Sequence, residues 1–265
     1  MNVFLLLILE TEPEHLEAFV ELRDIRTEHE DFPGLTEILE RRLYVCSEEE
    51  KTALRTDLVR IQTEHTEEFD LAAEHTRDLL TAHSEDEKVR AAALELIRRA
   101  SDVRETIAPQ VYAALHKAEQ YEEADEALSL LLEVLDDPTG RSEWLAARLD
   151  LQTHTLGRNQ EAMSTILEML EIEPGSTSNH DALLSLAEKL GLDAQLDALD
   201  RLAEILSGQE IETTEATELA LRLARYSRSL NNIERALSFQ QKALEFSGSD
   251  EKIADELLEL CRATE

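Results

Sequence analysis

The stretch "LGRNQEAMSTILEMLEIEP" (residues 156–174) decides how this chain folds, because "LNNIERALSFQQKALEFSG" (residues 230–248) repeats its plan. In each, a turn residue leads at the same spacing to a small one, Ala162 or Ala236, and then to apolar pairs. The same register fits "TEEFDLAAEHTRDLLTAHS" around Ala72 and "AEQYEEADEALSLLLEVLD" around Ala124. More loosely it fits "HEDFPGLTEILERRL" around Leu35 and "LGLDAQLDALDRLAEIL" around Leu196. Most of the intervals between these six anchors are the length of a two-helix repeat. The interval from Ala72 to Ala124 is longer and leaves room for an extra turn or helix.

Each unit reads as two amphipathic helices joined by a tight turn. Alanine falls at the closest crossing, where a larger side chain would hold the backbones apart. Neighbouring units then bury each other's apolar stripes. Leu219, Leu223, Tyr226 and Leu230 recur at i, i+4, i+7 and i+11, one face of a 3.6-residue period, and strand-like alternation is nowhere sustained. Ser47 with Glu50, and Ser84 with Glu87, have the spacing of capping boxes and predict helix starts. Gly157, Gly191 and the pair Asn231 and Asn232 stand where a helix must stop and turn. Pro109 lacks a backbone donor and predicts a split or kink in its segment.

This arrangement resembles the tetratricopeptide repeat family, whose turn, small residue and closing proline are matched by Gly157, Ala162 and Pro174. The resemblance covers most of the chain. The family's small residue in the first helix is met by Ala224, but by Asp150 in an earlier unit, and its first-helix tyrosine falls on Thr153. The resemblance implies an all-α, right-handed superhelical array of about fifteen helices, in one domain over residues 1–265. It also implies a non-enzymatic scaffold that binds a partner protein or peptide on its concave face.

The opening "MNVFLLLILETEP" (residues 1–13) has no Lys or Arg before its apolar run and no small-residue cleavage site. It is also far shorter than the ~20 residues that span a bilayer. Laid over "AMSTILEMLEIEP" (162–174), it places Leu6, Leu9 and Pro13 on Leu167, Leu170 and Pro174. It therefore reads as the second helix of a repeat, either inside a longer array or at a true start at Met1 whose helix packs on something else. Phe4 and Leu7 replace Thr165 and Glu168 and make this helix apolar nearly all round. Such a helix calls for burial on both sides, and these two residues are the candidate end-stacking surface.

The chain carries 59 Asp and Glu against 26 Lys and Arg, a net charge of −33 that repels nucleic acid and anionic membranes. A soluble, cytoplasmic protein without membrane insertion is expected. Its seven glycines are isolated, so no phosphate-binding loop or nucleophile elbow is present. The eight histidines include no HExxH, and Cys46 and Cys261 are far apart, with no CxxC and no Cys/His cluster. No catalytic residue, metal or cofactor is expected.

Residues 219–243 depart from the acidic background, with Arg222, Arg225, Arg228, Arg235 and Lys242 against Glu234 alone. Part of this complements the helix dipole, with acids at 212, 215 and 218 near the helix start and Glu218 spaced to pair with Arg222. The functional reading places Arg222, Arg225 and Arg228 in the groove of successive first helices, extended by Arg148 and His154 of an earlier unit, facing a partner's acidic segment. An alternative makes the chain a section of a larger repeat protein or a homo-oligomer that stacks through its apolar opening helix.

Overall fold

The computed structural model describes residues 2–208, 211–248 and 250–262, and among them it contains fifteen α-helices and no strand. They fall into two compact units, residues 1–137 and 138–265. The first holds α1 (Asn2–Thr11), α2 (Leu16–Glu28), α3 (Phe32–Leu43), α4 (Glu48–Ile61), α5 (Phe69–His83), α6 (Glu87–Arg99), α7 (Arg104–Lys117) and α8 (Tyr121–Leu132). The second holds α9 (Pro138–Asp150), α10 (Asn159–Ile172), α11 (Thr177–Leu190), α12 (Leu192–Gly208), α13 (Thr213–Ser229), α14 (Ile233–Phe246) and α15 (Glu251–Arg262). Within each unit successive helices pack on one another through short turns. Next-but-one neighbours such as α4 and α6, or α11 and α13, also touch. That is the pairing of a stacked hairpin array.

The anchors are explained by the turns. Glu30, Glu67, Glu119, Gly157 and Asn231 have left-handed backbone, with φ between 53° and 66°. Each stands five residues before an anchor: Leu35, Ala72, Ala124, Ala162 and Ala236. The anchors Ala72, Ala124, Ala162 and Ala236 are wholly buried, as a small side chain at a helix crossing requires. The sixth anchor is corrected by the structure. Leu196 is only half-buried, whereas Ala198, Leu199, Leu202 and Leu206 repeat the buried spacing of Ala162, Met163, Ile166 and Leu170. A single residue, Gly191 (φ 104°), separates α11 from α12, so the buried face begins two residues later than the sequence register implies. With Ala198 as anchor, the interval from Ala162 and the interval to Ala236 become nearly equal.

The long interval holds an extra helix, since both α6 and α7 lie between the anchors Ala72 and Ala124. Pro109 does not split this segment. The break falls earlier, in a 3₁₀ turn at Ser101–Val103, and α7 runs continuously through the proline. Glu105, whose carbonyl loses its partner to Pro109, is exposed and can bond to water instead. At the start of α4 the Ser47 N–H donates to the Glu50 carboxylate at 3.4 Å, as the capping box requires. Ser84 closes α5 and does not cap α6: Asp86 takes that role, accepting from the Lys88 N–H at 2.8 Å.

Arginines clasp the turns of the first unit, Arg42 buried and Arg104 half-buried. Arg42 donates to the Glu14 carbonyl at 3.0 Å and to Glu50 at 3.1 Å, and lies 5.6 Å over the Phe19 ring. Arg104 donates to the Ile97 carbonyl and to Glu133, both at 2.7 Å. Charge-assisted bonds of this kind are the strong ones, and here each ties a helix to a neighbouring helix or turn.

Candidate functional site: the faces lined by first helices

In the first unit, the helices α2 and α4 that precede the anchors Leu35 and Ala72, together with α6 of the long interval, line two adjoining grooves. The groove between α2 and α4, about 480 Å³, is bordered by Arg23, Asp24, Glu28, Asp57 and Arg60 over a floor of Leu35 and Leu39. The groove between α4 and α6, about 570 Å³, shares Asp57 and Arg60 and adds Glu64, Lys88, Glu95 and Arg98. Four cations therefore face five acids, close to neutrality in a chain of net charge −33. Arg98 is fixed there by a bidentate pair with Glu126, both bonds 2.7 Å, and that hydrogen bonding holds the Glu126 carboxyl below the usual range. Sequence reading missed this face. A signal existed: Arg23 and Arg60 each stand twelve residues before an anchor, at the position where the family keeps its small first-helix residue.

The first helices end unusually at two places. α4 continues into a π turn at Gln62–Thr66, and α9 into another at Leu151–Thr155. Both turns carry a fully buried glutamine, Gln62 or Gln152, and the Gln152 side chain accepts from the Thr165 hydroxyl at 2.8 Å. Such turns widen the helix end and re-aim the side chains that follow. In the second unit the turn carries His154, whose Nδ1 lies 3.0 Å from Asp150 Oδ1. It borders a groove of about 380 Å³ between α9 and α11, with Leu149, Asp150, Ser185, Leu186 and Lys189. Lys189 was not among the sequence candidates.

The arginines divide. Arg222 is engaged with Asp181 of α11 and donates to the Thr177 carbonyl at 3.3 Å, so its partner is Asp181 and not Glu218. Arg235 pairs with Asp200 at 2.7 Å, and Lys242 donates to the Ser207 hydroxyl at 2.8 Å. Arg225 and Arg228 are exposed and make no ion pair with any other described residue. Arg148 is half-buried on α9 with polar interactions of its own. Phe4 and Leu7 on α1 are 68% and 57% exposed, while Leu5 between them is buried. Cys46 and Cys261 are free thiols. Among the described residues no group of three or more His, Cys, Asp or Glu could hold a metal ion. No helix among them is long and apolar enough to cross a membrane.

No protein-family model and no curated protein matches the sequence. Solved structures similar to the chain include the C-terminal part of a TPR repeat-containing protein from Cytophaga hutchinsonii, at 12% identity over 89% of this chain and 98% of that one, TM-score 0.34. The pilF protein of Pseudomonas aeruginosa is similar at 14% identity over 92% and 96%, TM-score 0.30. A tetratricopeptide repeat protein from Parabacteroides merdae is similar at 16% identity over 92% and 97%, TM-score 0.26. At scores of this size the fold rests on the chain's own hairpins. Their left-handed turns, buried small anchors and near-even spacing make it an all-α, tetratricopeptide-like helical repeat.

Proposed function

We propose that the chain is a non-enzymatic interaction scaffold that holds a partner protein or peptide on the concave face lined by its first helices. The observation that carries this reading is the contrast within the basic segment. Arg222 and Arg235 are consumed by neighbouring acids, while Arg225 and Arg228 stay exposed and unpaired in a protein with a large surplus of carboxylates. Two free guanidiniums on α13, a helix that touches α11, the helix whose Ser185 and Lys189 line the groove with His154, suit an acidic segment of an extended partner. Arg148 belongs to the same helix as His154's turn and extends the basic edge.

A photo-crosslinking residue at Ser185, in the groove, tests the reading against the same residue at Ser164, which faces the second helices. Adducts from Ser185 alone, reduced at least tenfold by Arg225→Glu with Arg228→Glu, are expected. Equal adducts at both positions, or capture that survives the charge reversal with the helix content intact, would refute it.

A second reading, association through α1 as part of a larger array or a homo-oligomer, is favoured by the exposure of Phe4 and Leu7.

A further inference from the structure

The outer faces of α1 and α2 carry a helix-binding position that no described helix of this unit fills. Laid residue on residue, α2 (Leu16–Glu28) matches α6 (Glu87–Arg99) from end to end, and the same alignment places α1 within α5. The buried residues of α2, which are Ala18, Phe19, Leu22 and Arg26, all fall on buried residues of α6. The two helix pairs are therefore equivalent in packing. In the second pair, α4 lies against both members: Arg55 of α4 meets Asp78 of α5 at 3.2 Å, and α4 faces α6 across the groove bordered by Lys88, Ala91, Ala92 and Glu95.

The same alignment carries Asp78 onto Leu7, and Lys88, Ala91, Ala92 and Glu95 onto Glu17, Val20, Glu21 and Asp24. The match of 1–13 to 162–174 agrees, because it carries Glu168, which meets Arg141 of α9 at 2.9 Å, onto the same Leu7. Leu7 and the outer side of α2 thus flank the place of a first helix, and no described helix of this unit lies there. Leu16 (52% exposed), Val20 and Ile25 line a groove of about 530 Å³ on that side of α2.

Besides the exchange of Asp78 for Leu7, its charge differs from that of the equivalent face. Glu17, Glu21, Asp24 and Glu28 run along α2 at i, i+4, i+7 and i+11, all exposed, where α6 has Lys88 and Ala92 in the first two places. Among the described residues only Asp24 has a cation beside it, Arg23 at 2.9 Å. A helix seated there needs an apolar edge for Phe4 and Leu7 and a cationic edge for the four acids. This chain's own spare helix does not fit. α15 carries Glu251, Asp255, Glu256 and Glu259 against Lys252 and Arg262, and would bring acid to acid.

We propose that the outer faces of α1 and α2, with the hollow along α2, receive a basic amphipathic helix of another protein, in the position that α4 takes on α5 and α6. This face meets the α2–α4 groove at Asp24 and Glu28, but it uses none of the basic residues of the preceding section and does not depend on that reading.

The test is fluorescence anisotropy of the full chain with a labelled amphipathic helix of about 18 residues, built from Leu and Lys, and with its twin in which Glu replaces Lys. Binding at least tenfold tighter for the basic helix is expected. Leu7→Asp should cost at least tenfold, and Glu17→Lys with Glu21→Lys should reverse the preference. Glu251→Lys with Glu259→Lys, on α15, should leave affinity within twofold. All these residues are exposed, and far-UV circular dichroism verifies that each variant folds. Equal binding of the twins, or indifference to Leu7→Asp, would overturn the proposal. So would an equal loss on changing α15, which would mean attraction to net charge alone. Self-association in sedimentation equilibrium that Leu7→Asp abolishes would instead give the face to a second copy and overturn it too.

Discussion

Lysine placed at residue 196 or at residue 198 separates the register read from the sequence from the one the structure shows. Ala198 is fully buried and Leu196 half-buried on the same helix. At position 196 the aliphatic stem can lie along the helix pair while the ammonium reaches water, for a loss of about 1 kcal/mol. At position 198 no such route exists, and the side chain must give up its proton to stay inside. Deprotonating a lysine of ordinary pKa near 10.4 at pH 7 costs about 4–5 kcal/mol, and the extra volume adds about 1–3 kcal/mol. That total is comparable with the whole stability of many domains, about 5–15 kcal/mol. For a unit of this size each kcal/mol moves the midpoint by about 3–5 °C. Thermal unfolding followed at 222 nm should therefore show Leu196→Lys within about 5 °C of the parent, and Ala198→Lys lower by about 15 °C or unfolded. The gap should narrow by about 1.4 kcal/mol for each pH unit above neutrality, as the unfolded lysine also loses its proton. Equal losses at the two positions, or a loss at 198 that ignores pH, would refute the placement of the anchor.

Three further outcomes follow from single groups. Glu119 holds φ 59° at the turn between α7 and α8, which an L-residue adopts at a cost of about 1 kcal/mol, so Glu119→Gly should raise the urea midpoint rather than lower it. The buried Thr63 hydroxyl has no hydrogen-bond partner, and Thr63→Val, which exchanges it for a methyl group, should stabilise by up to about 1 kcal/mol in the same assay. His180 is pushed below the ordinary histidine pKa, chiefly by burial and also by Arg222, against the pull of the Pro174 carbonyl 2.8 Å from its Nε2. Its neutral form is the one that fits the fold. Its stabilising contribution is therefore complete above the unfolded value near 6.5 and is lost as pH falls through the lower folded value. His180→Gln should flatten the fall in midpoint between about pH 7 and about pH 5, and an unchanged slope would show that His180 is not the group involved.

The hairpin plan was legible because apolar spacing and small anchors are local. Ala72, Ala124, Ala162 and Ala236 could be found without a partner helix in view, since each needs only a turn before it and apolar residues after it. Glu30, Glu67 and Glu119 could not, because glutamate carries no signature of left-handed backbone and the surrounding packing imposes it. Leu196 was misplaced for a related reason: the tighter turn at Gly191 changes where the buried face starts, which composition does not report. Ion pairing was the least legible feature. Glu218 and Arg222 have the spacing of a helical pair, yet Arg222 reaches Asp181, 41 residues away. Arg225 and Arg228 could therefore be told from Arg222 and Arg235 only once α11 and α12 were in place beside them.

The charge distribution follows one rule across both units. Most arginines near helix crossings, among them Arg42, Arg55, Arg104, Arg141, Arg222 and Arg235, are paired with acids of another helix, so the surplus of carboxylates is left on the outer faces. Salt acts unequally on the two populations. Arg42 and Arg104 have side chains only 8% and 12% exposed, against 41% and 60% for their partners Glu50 and Glu133, so these attractions are screened less than those between two exposed groups. The repulsion among exposed acids acts through water, over a Debye length that falls from about 30 Å at about 0.01 M salt to about 8 Å at about 0.15 M. Added salt should therefore remove more repulsion than attraction. The unfolding midpoint should rise by several degrees over that range and then level off. The same addition should weaken the basic helix on the acidic edge of α2, because that contact forms between exposed groups. A midpoint that falls with salt would mean that the inter-helix pairs are solvent-screened and carry the stability. The surplus acids would then not be free to select a basic partner.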